Sequence, residues 1–396
     1  MQYDFDRWPD RLNTNSVKWD ELPFKNVKEG FIPLWVADMD FPVAPEIIGA
    51  MKERLDHPYF GYFSLTDENF YRPIIEWQKA RYGVEGLEPG QILYENGVLA
   101  GIAHLLQALS SPGDPVVLQT PGYPGFEGVL NTMNRKIIPN PMIDNGGYFT
   151  IDYRDLEKKI VDSGAKILLF CSPQNPTGRV WTAEEQRGVV DICLKHGVTI
   201  IADQIWSDII LTQDAPFVPL SSADERAKEI SVEFFSPSKG FSMAAMYASY
   251  AVCRNPVLCE KLRAASNYLH CNNPALLSVV GLAAAYTKGE EWLEQCRKVI
   301  SGNMEYIVSF LKERLPGITT RKAEGTYLLW LNFSGTGLTH EEMIRRTVHG
   351  AGVVLNDGRS FISNGECRMR LNAAAPRAMI EQAMKRLEDV FRDTVK

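Results

Sequence analysis

The chain has 396 residues, 45% of them hydrophobic and 23% charged, with a formal net charge of -7. That length exceeds the ~250–300 residues at which one hydrophobic core stops growing, so two domains are expected. The acidic balance, the lack of a basic tail and the lack of any apolar run near the ~18 residues of a membrane span argue against nucleic-acid and membrane partners.

Met1 to Arg7 is acidic and has no apolar core, so no secretion is expected. Seven scattered cysteines, without a C-x-x-C pair, are expected to be reduced core thiols of a cytoplasmic protein.

Residues 1 to 45 show no long period and are expected to form an extended arm with one apolar run, Phe31 to Val36. Apolar spacing then predicts a helix from Pro45 to Leu55, with Ile47, Ile48, Met51 and Leu55 on one face, and a second from Asp67 to Tyr82. The aromatic loop Tyr59 to Tyr62 lies between them. From residue 92 strands and helices alternate, the pattern of an open sheet covered by helices on both faces. Strands are predicted at Ile92–Tyr94, Pro115–Leu118, Lys136–Ile138, Ile167–Phe170, Thr199–Ala202, Val232–Phe235 and Tyr247–Val252, with helices at Val98–Leu109 and Ala183–Lys195. A helix-rich stretch runs from Pro256 to Leu315. Strands at Thr326–Leu331, Val353–Leu355 and Arg368–Leu371 follow, with helices at His340–Val348 and Pro376–Arg392. The expected fold class is therefore α/β: a large domain (46–285) with about seven mostly parallel strands sandwiched by helices, and a smaller α+β domain (286–396) joined by the arm 1–45.

The chemistry is concentrated where predicted strands end. Gly97, Tyr123, Asn175, Asp203 and Lys239 each follow such a strand, at the sheet edge where open α/β folds bind ligands. Lys239 sits in Ser236-Pro237-Ser238-Lys239-Gly240-Phe241, among hydroxyl and apolar neighbours rather than charged ones. Burial there would disfavour the ammonium and make the amine nucleophilic enough to attack a carbonyl.

Four of these features, in order, resemble the class I/II aminotransferase superfamily of pyridoxal 5'-phosphate (PLP) enzymes, fold type I, over almost the whole chain. They are Ser236-Pro237-Ser238-Lys239, Asn175-Pro176-Thr177-Gly178, Asp203, and Arg370-Leu371-Asn372. Ile32 to Phe41 and Asn175 to Trp181 look most like the cystathionine β-lyase, or C-S lyase, branch. The resemblance implies PLP as cofactor, an amino acid as substrate, and a homodimer with shared active sites. It implies no metal.

By that resemblance Lys239 binds PLP covalently and later takes the substrate α-proton, Asp203 holds the pyridine nitrogen protonated, and Tyr123 stacks on the ring. Asn175 donates to the ring hydroxyl oxygen. The amides of Gly97, Val98 and Leu99, at a helix start, take the phosphate together with Ser236, Ser238 and Tyr62, the last from the partner subunit. Trp206 stands beside the cofactor. Arg370 pairs with the substrate carboxylate, and Trp35 and Ala37 line the substrate side.

Three positions depart from the superfamily. Tyr247 replaces a phosphate-binding arginine, Trp206 a tyrosine or histidine, and Gln204 a glutamate. The implied reaction is β-elimination of a thiol from cystathionine or a related cysteine S-conjugate, giving pyruvate and ammonia. The alternatives are an aminotransferase or racemase on the same scaffold, and a PLP-binding protein without catalysis.

Overall fold

The computed structural model describes residues 2–212 and 214–394. Its central sheet has seven strands: β1 (Ile92–Glu95), β2 (Pro115–Thr120), β3 (Lys136–Pro141), β4 (Ile167–Cys171), β5 (Thr199–Asp203), β6 (Ser231–Phe235) and β7 (Ser249–Val252). Their spatial order is β1-β7-β6-β5-β4-β2-β3. All neighbours are parallel except β7, which runs antiparallel to both β1 and β6. Every residue of β4 and β6 is buried, as expected for strands covered on both faces. Because the other six strands share one direction, their carboxyl ends fall on one edge, and the loops from Gly97, Tyr123, Asn175, Asp203 and Lys239 meet there.

A second sheet contains β8 (Leu328–Asn332), β9 (Asn356–Asp357) and β10 (Arg368–Asn372), with β10 in the middle and antiparallel to both neighbours. The long helix Glu290–Arg314 and the helix Arg377–Phe391 pack together against it through Ile300, Met304, Ile307, Ile380, Met384 and Leu387. The amino-terminal arm adds a short strand here: Ile32–Pro33 pairs in parallel with Val353–Val354. The arm also carries a buried ion pair, Lys18 to Asp40 at 2.7 Å, and Arg11 reaches Asp38 and Asp40 at 2.8 Å each. Removing one partner of such a pair strands a buried charge at a cost of about 3–5 kcal/mol, so the arm is anchored rather than loosely packed.

The structure differs from the sequence reading in several local extents. The helix expected at 67–82 begins as a wider π turn, Asp67–Tyr71, before regular helix Arg72–Tyr82, because Pro73 has no N–H to continue the ladder. The strand expected from Tyr247 starts at Ser249, since Tyr247 has a left-handed backbone (φ 51°) that no strand accommodates. Thr326 (φ 70°) shortens the start of β8 in the same way. A hairpin, Ile143–Asn145 with Tyr148–Thr150, and a helix, Tyr153–Ser163, are additions to the expected elements. Of the cysteines expected in the core, Cys271 is exposed and Cys367 half-buried; the other five are buried, and all seven are free thiols.

Candidate active site

A cavity of about 300 Å³ opens at the carboxyl edge of the central sheet. Asp203, Lys239, Tyr123 and Asn175 line it, as do Ser236, Ser238, Trp206 and Ala37, with Gly97, Val98 and Leu99 at one end. With Tyr247, twelve positions singled out from the sequence thus converge on one space.

Asp203 is the last residue of β5 and buried. Its Oδ1 accepts the Ile205 N–H at 3.0 Å, and burial pushes its pKa up to about 6 against that bond and the Lys239 charge. A carboxylate held this way has no ion-pair partner among the described residues, only the more distant Lys239 charge, and would be stabilised by an acidic N–H. Lys239 lies on the turn after β6. Burial brings its amine down to about 8; Asp38 and Asp203 oppose that shift and Arg370 adds to it. Its Nζ donates to the Ala37 carbonyl at 2.5 Å and stands 5.4 Å from the centre of the Trp206 ring. The cavity therefore holds a lysine that reaches its nucleophilic form near neutral pH, and an under-solvated carboxylate.

The opposite end offers neutral donors. Gly97 precedes the helix Val98–Leu109, whose first amides face the cavity. The Gly97 N–H, expected to be one of the donors, is instead spent on Ser249 Oγ at 3.1 Å. Gly97 serves through its backbone: φ is 104°, and a Cβ there would meet the Tyr247 ring at 3.3 Å. Ser236 also departs from expectation. Its hydroxyl donates to the Ala248 carbonyl and accepts the Ser238 N–H, so its single proton is used inside the loop. Ser238 lines the cavity as well, and among the described residues its hydroxyl forms no hydrogen bond. Helix amides, a hydroxyl and a carboxylate at opposite ends of a cavity with a lysine between them suit a flat ring bearing an anionic group at one end and a ring N–H at the other.

Three expected residues lie outside the cavity lining. Arg370, on β10, is buried behind Asn175: Nη1 donates to Asn175 Oδ1 at 3.0 Å and Nη2 to the Trp35 carbonyl at 2.9 Å. Burial brings its guanidinium down to about 10. Trp35 meets the site through that carbonyl only, its indole N–H being donated to the Lys18 carbonyl at 3.0 Å. Tyr62 is fully exposed.

The matches to known proteins are as extensive as the geometry. The family model for aminotransferase class I and II matches residues 29–387. The chain belongs to the class I and II aminotransferase family. Cystathionine beta-lyase PatB of Bacillus subtilis is 34% identical over 97% of this chain and 98% of its own. Cystalysin from Treponema denticola, whose crystal structure contains a pyridoxal 5'-phosphate cofactor, superposes with a TM-score of 0.95 at 32% identity, covering 99% of this chain and 100% of its own. The PLP-bound C-S lyase of Staphylococcus hominis gives 0.91 at 28% identity, with both chains covered completely.

Within this aminotransferase family the three departures have structural counterparts. Gln204 is fully buried beside Glu233, whose carboxyl is itself pushed up by burial, so a glutamate at 204 would bring two carboxylates together in the core. Trp206 packs edge-on against Tyr327, ring centres 4.6 Å apart. Tyr247 is 65% exposed and carries no charge to the helix start. The sequence reading missed the lining residues Asn96, Ala100, Cys171, Ile205 and Ala244. Asn96, Cys171 and Ile205 lie within two residues of a strand's carboxyl end, the signal that could have found them; Ala100 and Ala244 carry no such signal.

Proposed function

We propose that this protein is a PLP-dependent carbon-sulfur β-lyase that cleaves cystathionine or a related cysteine S-conjugate to a thiol, pyruvate and ammonia. The observation that carries the reading is Lys239, with its lowered amine, sharing one cavity with buried Asp203, in a chain that matches a cystathionine β-lyase over nearly its whole length.

PLP, when bound, supplies an electron sink that stabilises negative charge at the substrate α-carbon. Lys239 would hold it covalently, and its amine would take the substrate α-proton as general base. Asp203 would hold the ring nitrogen protonated, and that proton would relieve the cost of burying the carboxylate. Asn175 gives its amide oxygen to Arg370, which leaves its NH2 to donate to the ring hydroxyl oxygen. Tyr123 would stack on the ring, and the Val98 and Leu99 amides with the Ser238 hydroxyl would hold the phosphate. Arg370 takes the substrate carboxylate and fixes the α-proton toward Lys239, leaving the Cβ–S bond free to break with departure of a thiolate.

The proposal includes a homodimer in which the exposed Tyr62 reaches the neighbouring copy's phosphate site, a division into a large domain 46–285 and a small domain 1–45 plus 286–396, and a cytoplasmic location. No described helix is long and apolar enough to cross a membrane. A second reading, amino-group transfer, is favoured by a Clostridium difficile structure described as a PLP-bound putative aminotransferase, 35% identical with a TM-score of 0.94. Pure protein with PLP and cystathionine separates them. The lyase releases pyruvate and thiol in equal amounts, whereas a keto acid retaining the sulfur, with pyridoxamine phosphate, means transfer.

A further inference from the structure

Arg370 presents an electrostatic difficulty. It is buried, and among the described residues no carboxylate lies within ion-pair distance of it. Its contacts are neutral: the Asn175 amide oxygen and the Trp35 carbonyl, with Nε unbonded. A permanent carboxylate partner would hold the guanidinium firmly and would also occupy the place of a substrate carboxylate. An aromatic face attracts a cation without competing for its N–H groups.

Phe361 supplies such a face. Its ring centre lies 5.0 Å from the Arg370 guanidinium carbon, and the side chain is completely buried. Trp330 backs the ring edge-on, centres 5.0 Å apart. The loop that carries Phe361 closes on itself at Gly358 and Gly365, where a Cβ on Gly365 would lie only 1.8 Å from the Gly358 carbonyl oxygen. The Phe361 carbonyl then accepts the Gly122 N–H at 3.1 Å, one residue before Tyr123. One residue of the 358–365 loop thus touches the arginine with its ring and the Tyr123 loop with its backbone.

We infer that Phe361 is a positioning residue for α-carboxylate recognition: its ring holds the Arg370 guanidinium in place without competing for Nε or for the N–H groups not already donated to Asn175 and Trp35. The inference rests on the proposed function, because it takes Arg370 as the carboxylate site.

The test compares two amines titrated into PLP-loaded protein and followed by visible absorption. L-Alanine carries the α-carboxylate and no β leaving group; ethylamine lacks the carboxylate. Phe361→Leu should raise the dissociation constant for L-alanine about tenfold and change that for ethylamine by less than about twofold. With cystathionine the loss should fall on KM more than on kcat. Phe361→Tyr, which keeps the face, should bind L-alanine within about twofold of the parent. Melting curves identify a Phe361→Leu protein that has lost its fold, and in that event Trp330→Leu, which removes only the backing, should give a smaller shift of the same kind. Equal weakening of both amines, or an unchanged response to L-alanine in a folded variant, overturns the positioning role alone. If the parent protein responds to neither amine, the proposed function falls and this role with it.

Discussion

The two ends of the cavity handle charge in opposite ways. At one end Asp203 carries a full carboxylate into the interior, against a burial cost visible in its pKa of about 6. At the other, the start of the Val98–Leu109 helix and the Ser238 hydroxyl offer neutral donors, and Tyr247 brings no cation. The first end is expensive without its ligand and specific with it. The second is cheap to keep and depends on the helix dipole, worth about 0.3–1 kcal/mol in exposed settings and more when partly buried. The difference implies that mutations at the carboxylate end alter the chemistry, while mutations at the phosphate end alter only retention of the cofactor.

The largest expected effect falls between the two ends. Lys239→Ala should lower β-elimination by about 10³-fold or more and abolish the visible absorption of the PLP-loaded protein, because the proposed function makes this residue both anchor and base. Asp203→Asn comes next and should have opposite effects on activity and stability. Activity should fall about 100-fold, in the range seen when a transition-state electrostatic contact is lost.

The carboxyl's folded pKa lies above its unfolded value of 3.8, so it costs the cofactor-free fold nothing below about pH 4, and the cost grows as pH rises through about 6. At pH 8 cofactor-free Asp203→Asn should therefore be more stable than the parent by about 3 kcal/mol, with the gap closing at pH 4, as measured by thermal or urea unfolding. A variant less stable than the parent at pH 8 would mean that the carboxylate is paired more fully than its neighbours indicate.

Smaller effects should mark the phosphate end. Ser238→Ala should weaken PLP retention about tenfold in equilibrium dialysis, the value of one hydrogen bond to a charged group. Ser236→Ala should instead lower the melting temperature and leave intrinsic retention nearly unchanged, since its hydroxyl serves the loop. The smallest change needs no mutation. The rate at which cofactor-free protein takes up PLP should rise with pH, with a midpoint near 8, as the Lys239 amine loses its proton. A midpoint near the ordinary lysine value would show that the cavity does not lower it.

The framework was legible in the sequence because buried parallel strands leave continuous apolar runs: Ile167–Phe170 and Val232–Phe235 were each found within a residue or two of β4 and β6. Gly97, Asn175, Asp203 and Lys239 were legible as well, because a residue that closely follows a strand inherits the strand's edge. What stayed hidden depends on contacts between distant parts of the chain. Ser249, 152 residues after Gly97, takes its N–H, and Ser236 spends its hydroxyl on Ala248 across the loop. The Trp35 carbonyl meets Arg370 across 335 residues of sequence. Phe361 reads as an ordinary loop phenylalanine until the sheet places Arg370 over its ring. No local pattern encodes these pairings, and they decide which polar atoms remain free to bind.

The most direct test of the central claim is to incubate the protein with PLP, reduce it with borohydride, digest it and find the modified amine by mass spectrometry. The account predicts one phosphopyridoxyl group per chain, on Lys239. Label spread over surface lysines, or absent from the Lys239 peptide, would contradict it.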